Sequence, residues 1–263
     1  MARKWTTEEE KLIHKELKTL YVKKNKTIGE ISDILNLGQS TVYDRLLRLK
    51  IKPERSKKRG FNNKRTDIFI PQKNSNVLAE FVGIMLGDGH ITSTQVTVTL
   101  GNKENDYVDY VVRVIKKVFK ITPKVITLRK KYKVVYFGSV DAVKWLSLMG
   151  FVFNKVKRQV GVPSWIFTKE SFIENFLRGF FDTDGSIYKL RFGLQLSFTN
   201  RSLNLLTAIR SGLSMLGYNP SKISGFHIYL TKNEDIHSFF DKIHPANKKH
   251  LKRYKIMSKR WDG

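Results

Sequence analysis

A nine-residue pattern occurs twice in this chain and limits what the chain can become. Phe81 to Gly89 reads FVGIMLGDG and Leu177 to Gly185 reads LRGFFDTDG, each an apolar, helix-like stretch with a stripe of small residues and an Asp-Gly ending. The two acids, Asp88 and Asp184, stand 96 positions apart. The residues C-terminal to each copy match as well. Val96, Val98 and Leu100 alternate with Gln95, Thr97 and Thr99, and Leu194, Leu196 and Phe198 alternate with Gln195, Ser197 and Thr199, so each copy leads into a strand with one apolar and one polar face. An Asn then precedes a helix in each copy, Asn102-Lys103 before about 104–119 and Asn200-Arg201 before about 202–216. Later come Asn154-Lys155-Val156-Lys157 and Asn247-Lys248-Lys249. Self-similarity that survives through helix, strand and helix predicts two copies of one α/β unit.

The small residues carry a packing expectation. Gly83 and Gly87 are four apart, as are Gly179 and Thr183, a spacing that lets two helices approach until their backbones nearly touch. If the stripes face one another, Asp88 and Asp184 meet at two helix C-termini. Helix C-termini carry partial negative charge, so a pair of carboxylates there either raises each other's pKa or recruits cations. Carboxylates and the carbonyls of Gly87 and Thr183 are hard oxygen donors, which suit Mg²⁺. Such ions, set between protein and a polyanionic backbone, activate water and stabilise a leaving oxygen in phosphodiester hydrolysis. An Asp-Gly turn at a helix end is common by itself; the same turn duplicated behind a small-residue stripe is not.

Charge identifies the partner class. With 49 Lys plus Arg against 23 Asp plus Glu, the formal net charge is +26, far beyond what solubility asks. Hydrophobic residues at 41% supply enough material for buried cores, so this is not a disordered basic tail. Residues 1–66 hold 18 basic and 8 acidic side chains and residues 67–263 hold 31 and 15, surpluses of 10 and 16, so both parts are suited to the same polyanion. The positive charge runs along the whole length rather than along one amphipathic helix, which favours nucleic acid over a membrane surface. The chain contains no Cys, which excludes disulfides, thiolate metal sites and thiol nucleophiles. It also contains no apolar run near the roughly 20 residues needed to span a bilayer, and the opening MARKWTTEEE lacks a secretory h-region. A protein of the cytoplasm, or of an organellar matrix if organelle-encoded, is expected. There is no Gly-rich phosphate loop with Lys-Ser/Thr, so no nucleotide cofactor is expected.

Residues 52–64 (KPERSKKRGFNNK) are charged, turn-rich and poor in apolar residues, and read as part of a linker. The expected layout is a helical domain over 1–52, a basic linker over 53–75, and two repeats over 76–168 and 169–263. In the first part, Thr7 before Glu8, Glu9 and Glu10 predicts an N-cap. A second helix begins near Ile28 and stops at Asn36-Leu37-Gly38, with Gly38 suited to a left-handed conformation. A third is capped by Ser40 or Thr41. Helix, tight turn and helix form a helix-turn-helix, whose exposed positions Gln39, Ser40, Thr41, Tyr43, Arg45 and Arg48 suit base-edge and phosphate contacts. A plain three-helix bundle with solvated charges is the competing reading. His244 to His250 is too compact for a nuclease hairpin built between two His residues, and Trp145, Trp165 and the Phe residues read mainly as core.

FVGIMLGDG and LRGFFDTDG resemble the paired motifs of the LAGLIDADG homing endonucleases, and VGVPSWIF followed by FIENFLRGFFDTDGSI resembles the two-motif members closely. The resemblance covers about residues 76–255. It implies an α+β, pseudo-twofold duplicated αββαββα fold, with two antiparallel four-stranded sheets forming a saddle on double-stranded DNA, and the helix-turn-helix appended. It implies a monomer that cuts both strands of a long target and leaves short 3′ overhangs, as in intron homing. Asp88 and Asp184 would bind Mg²⁺, with Mn²⁺ or Ca²⁺ as substitutes, helped by the carbonyls of Gly87 and Thr183. Basic residues near the metals correspond to Lys157 or Lys155 and to Lys248 or Lys249, with Asn102 and Asn200 as further candidates for positioning water. The polar strand positions Gln95, Thr97, Thr99, Gln195, Ser197 and Thr199 would read bases. The first motif has Leu86 where the family often has an acid; the second keeps Asp182. Two other functions fit the same resemblance: a DNA-binding regulator that has lost catalysis, and an RNA maturase. Retention of both Asp88 and Asp184 favours the nuclease.

Overall fold

The computed structural model describes residues 6–51, 67–152, 159–191 and 193–258. It divides into two compact units, Met1–Asn62 and Asn63–Gly263.

In the first unit, α1 (Thr7–Lys18) runs on into a π-helical turn over Thr19–Lys23, followed by α2 (Ile28–Leu35) and α3 (Gln39–Arg48). The cap of α1 is Thr6 rather than Thr7: the Thr6 hydroxyl accepts from the Glu9 amide at 3.3 Å and Glu9 accepts from the Thr6 amide at 2.9 Å, a closed capping box. Thr27 and Glu30 repeat the device on α2. Hydrogen bonds from Thr27 hold the exposed Glu30 carboxyl down at about 2. The turn between α2 and α3 also differs in detail from expectation. Asn36, at φ 50°, takes the left-handed conformation, while Gly38 is extended and caps α3 through its backbone alone, with no side-chain cap from Ser40 or Thr41. Leu17, Tyr21, Ile31, Val42 and Leu46 from all three helices form the core.

The second unit is α+β and duplicated. Its first half runs α4 (Asn76–Gly87), β1 (Gly89–Ile91), β2 (Gln95–Gly101), α5 (Asn105–Phe119), β3 (Lys124–Leu128), β4 (Tyr132–Gly138) and α6 (Val140–Leu148). Its second half runs α7 (Glu170–Asp184), β5 (Gly185–Leu190), β6 (Gly193–Thr199), α8 (Leu203–Met215), β7 (His227–Leu230) and α9 (Asn233–Ile243), and α10 (Lys248–Ser258) completes it. The sheets are antiparallel, in the orders β1-β2-β4-β3 and β5-β6-β7. The second sheet therefore has three strands among the described residues, not four. Residues 221–224 run beside β7, where Ser221 donates to Tyr229 at 2.9 Å and Ser224 forms an isolated bridge with His227, so the fourth edge is reduced to single contacts. Inward residues of both sheets and both central helices share one core, from Phe81 and Phe119 to Phe181, Phe198 and Phe239. Ile68 and Ile70, inside the segment read as linker, pack against it too. Among the described residues no helix is long and apolar enough to cross a membrane.

Candidate metal centre and nucleic-acid interface

The two motif helices, α4 and α7, pack through their small residues, and they do so reciprocally. A Cβ placed on Gly83 would lie 2.2 Å from the Phe176 carbonyl oxygen and 2.7 Å from the Phe180 nitrogen; one placed on Gly179 would lie 2.2 Å from the Glu80 carbonyl oxygen and 2.9 Å from the Ile84 nitrogen. Each glycine thus meets the residue three before, and the residue one after, its counterpart, which is the signature of a local twofold. One turn further along, a Cβ on Gly87 would be 2.0 Å from the Thr183 hydroxyl and 3.6 Å from the Asp184 carboxyl carbon. The ends of both motifs therefore meet. Asp88 caps α4 and is half-buried; Asp184 closes α7 and is half-buried as well. The strands that leave them pair alike, Gly89 with Val98 and Gly185 with Phe198.

The surroundings of the two acids are not equivalent. Asn200 donates through Nδ2 to Asp184 Oδ2 at 2.9 Å and accepts from the Ser202 amide at 2.9 Å. Its counterpart Asn102 donates instead to the carbonyls of Lys130, through Nδ2 at 3.0 Å, and of Lys131, through its backbone amide at 3.2 Å. Asn102 holds a hairpin turn rather than a carboxylate.

Lys155 and Lys157 lie outside the described residues. Lys248 and Lys249 are engaged elsewhere: Lys248 pairs with Asp106 at 3.1 Å and Lys249 with Glu104 at 2.8 Å, both at the start of α5 in the opposite half. Beside them Asn247 accepts from the Lys249 amide at 3.1 Å, which starts α10, and donates to the Asp182 carbonyl at 3.1 Å. Asp182, the acid with no counterpart at Leu86, is 2% exposed. Its carboxyl receives the amides of Ala246 at 2.8 Å and Asn247 at 3.0 Å. Burial pushes it up to about 8, against the pull of those two amides. Its work is to tether the approach to α10. The second half shows the reciprocal strap: Gln159 accepts from the Leu203 amide at 2.8 Å, and the Ser202 hydroxyl donates to the Val160 carbonyl at 2.8 Å. A further buried link joins the helices, where Tyr110 donates to Glu80, Arg178 lies 3.8 Å from Glu80, and Arg178 donates to the Ile243 carbonyl at 2.7 Å. Burial raises the Glu80 carboxyl, while the Tyr110 hydrogen bond and the Arg178 charge oppose that rise.

The donor set fits a hard cation. Asp184 closes α7 beside Gly87, the residue before Asp88, so each of the two meeting helix ends carries one carboxylate. Among the described residues no group of three or more His, Cys, Asp or Glu could hold a metal. Carboxylates and backbone carbonyls are the hard oxygen donors that a cation such as Mg²⁺ would use there.

The saddle faces are set by strand register. In the first sheet, Thr97 lies opposite both His90 and Tyr136, and Thr99 lies opposite Val134, so these share the face turned away from the helices. In the second, Gln195 faces Tyr188, Ser197 faces Tyr229, and Thr199 faces His227. Gln95, Thr97, Gln195 and Thr199 are half-buried and Thr99 is exposed. Ser197 is a correction: it pairs in register with Tyr229 and is 1% exposed, so it does not reach a base; beside it Thr199 is hydrogen-bonded to His227 at 2.9 Å. His90, Tyr136, Tyr188, His227 and Tyr229 share these rows; the short strand His227–Leu230 alternates, whereas the apolar run Val134–Phe137 hides the register of Tyr136. In the helical unit, Gln39, Ser40 and Tyr43 are exposed and Thr41 is half-buried at the start of α3. Arg45 is a second correction: it is 7% exposed and its guanidinium turns to Glu10 at 3.4 Å, so it serves the bundle. Arg48, which is exposed, reaches the same Glu10 oxygen at 3.3 Å.

Comparison with known proteins agrees with the duplication. A model of the LAGLIDADG-like domain matches residues 171–244, and a model of the WhiA LAGLIDADG-like domain matches residues 78–154. The chain therefore carries two LAGLIDADG-like domains, one in each half. The replication factor C small subunit of Methanocaldococcus jannaschii is 25% identical over 183 residues, which is 67% of this chain; the match spans 10% of that curated relative's length. Solved structures similar to this chain include the N-terminal LAGLIDADG domain of DUF199/WhiA, at 15% identity over 66% of this chain and 86% of that one, with a TM-score of 0.47. Mesophilic variants of the homing endonuclease I-DmoI match at 14% identity over 64% and 94%, with a TM-score of 0.47. The homing endonuclease I-WcaI bound to its DNA recognition sequence matches at 16% identity over 67% and 86%, with a TM-score of 0.48.

Proposed function

We propose that this protein is a site-specific double-strand DNA endonuclease that hydrolyses phosphodiester bonds with divalent metal. One observation carries the reading: in a chain of net charge +26, a half-buried Asp stands at the end of each of two helices that pack through glycine and whose ends meet. Two anions held where DNA phosphate arrives repel it unless cations lie between them. Asp88 and Asp184 would hold Mg²⁺, with Mn²⁺ or Ca²⁺ as substitutes and the carbonyls of Gly87 and Thr183 as helpers. The metal supplies an activated water and charge stabilisation when bound. The chain's own residues do the rest. Asn200 fixes the Asp184 carboxylate, the saddle faces orient the duplex, and the helical unit adds contacts through Gln39, Ser40, Thr41 and Tyr43. The double-stranded DNA partner is engaged by a monomer.

The test is to incubate the protein with random duplexes in Mg²⁺ and sequence the ends. Enrichment of one cut site with short 3′ overhangs is expected. Asp88→Asn or Asp184→Asn should abolish cutting and leave binding within a few-fold of the parent; robust cutting by both variants overturns the assignment. A second reading, a DNA-binding regulator without cleavage, is favoured by the WhiA-type match in the first half and by the engagement of Lys248 and Lys249 with α5. Tight, sequence-specific binding with no cutting in Mg²⁺ or Mn²⁺ would select it.

A further inference from the structure

The β3–β4 hairpin places apolar side chains where a soluble protein ordinarily avoids them. Every residue of β3 is exposed, including Ile126 at 41% and Leu128 at 47%, and Tyr132 at the start of β4 is 49% exposed. Register puts them on the saddle face. Ile126 lies opposite Val134, which lies opposite Thr99; Leu128 lies opposite Tyr132, which lies opposite Gly101. They continue the row structure of the face that carries Thr97 and Thr99, on the side of the sheet away from the core residues Val96, Val98 and Leu100.

The surroundings are basic. Lys124 starts the strand and shares the row of Tyr136 and Thr97, and the connecting turn is Arg129-Lys130-Lys131. In that turn Arg129 and Lys130 are both left-handed, at φ 50° and 54°, with Lys131 donating to Leu128 at 3.1 Å. Hairpin turns of this kind normally use Asn-Gly, because side chains with a Cβ are strained there. Asn102 holds the strained turn in place with its two hydrogen bonds to the Lys130 and Lys131 carbonyls. Strained backbone of this kind clusters where proteins meet ligands, and here it sits in a turn of three consecutive basic residues.

We propose that Ile126, Leu128 and Tyr132 read the 5-methyl groups of thymines in the major groove, with Arg129, Lys130 and Lys131 seated on the flanking phosphates. This rests on the reading of the saddle as a DNA-binding surface and deepens it by assigning base preference to one end of one sheet. The thymine methyl is the apolar feature of the major groove, and aliphatic side chains are its natural partners. The basic border fits a polyanion and opposes the alternative occupant, a second copy of this chain, which would bring two such borders together.

The experiment selects bound duplexes from a random library with the full chain in metal-free buffer, then replaces thymine by uracil, position by position, in the selected site. Uracil keeps every hydrogen bond and lacks only the methyl. Wild type should lose about fourfold in affinity for each methyl removed within a run at one end of the site. The triply substituted Ile126→Ser, Leu128→Ser, Tyr132→Ser protein, checked for folding by circular dichroism, should bind the thymine and uracil forms of that run equally. Wild type indifferent to uracil throughout the site overturns the proposal, as does full thymine preference in the variant. A dimer in sedimentation that dissociates in the variant would assign the patch to self-association and also overturn it. No enriched sequence at all would mean that the DNA-binding reading itself fails, an outcome distinct from enrichment without methyl dependence. Because cutting is not the readout, loss of the nuclease reading alone leaves the test intact.

Discussion

Gly83 and Gly179 fix how closely the two motif helices approach, and with it where Asp88 and Asp184 lie. A methyl group on Gly83 meets backbone atoms at 2.2 and 2.7 Å, and backbone cannot rotate aside as a side chain can. Gly83→Ala should therefore destabilise by about 3 kcal/mol or more in urea unfolding, at the upper end of overpacking costs. Two buried titratable groups add an opposing pair of pH effects. Asp182 is raised to about 8, so the native state keeps a proton that the unfolded chain releases near 4; its contribution is fully present below about 4 and lost as pH rises through 8. His250, fully buried with its ring 4.8 Å from that of Phe181, is lowered to about 4, so its contribution is present above 6.5 and lost as pH falls through 4. Between 4 and 6.5 the two oppose each other. His250→Phe should remove the acid-side loss: whatever constant packing cost it carries, the variant should gain about 2–3 kcal/mol relative to the parent between pH 7.5 and pH 4.5, read by urea unfolding at both values.

At the scale of elements, the duplicated pattern was legible where residues act locally. The alternation after each motif gives β2 and β6, and the helices after Asn102 and Asn200 begin within a residue or so of the positions expected. The errors fall where two local solutions are nearly degenerate. TTEEE offers two Thr-x-x-Glu registers, and only the packing of Leu17 and Tyr21 selects Thr6 with Glu9. Asn36 and Gly38 are both able to leave a helix left-handed, and the length of α2 decides for Asn36. Arg45 looked exposed at the start of a recognition helix because its partner Glu10 is 35 residues away. The approach to α10 depends on a similar long-range pairing, Asn247 with Asp182. Asn247→Ala would leave the Asp182 carbonyl and the Lys249 amide of α10 without those bonds, and it should cost about 1–2 kcal/mol. Hydrogen exchange should show the loss first in the opening turn of α10.

For the whole molecule, charge bears on how strongly a polyanion is held, and on the proposed reading the two acids bear on what is done to it. Residues 1–66 carry a surplus of 10 positive charges and the duplicated unit a surplus of 16. If both touch DNA, deleting residues 1–60 should weaken binding and flatten the slope of log K against log salt, since fewer phosphate contacts release fewer counterions; an unchanged slope would show that the helical unit stays off the DNA. The meeting of the two motif ends could be argued from the sequence because it stems from a repeated stripe of small residues. The inequivalence of Asn102 and Asn200, and the straps that tie each half to the other, could not, because they arise from contacts between segments far apart in the chain. Those straps bear on synthesis. Lys249 meets Glu104 across 145 positions, so the start of α5 has no such partner until the second repeat has left the ribosome. A translating polysome therefore carries half-built molecules whose first repeat is folded in outline and unlatched, and a stall between the repeats would leave that surface exposed to the cell's holding chaperones.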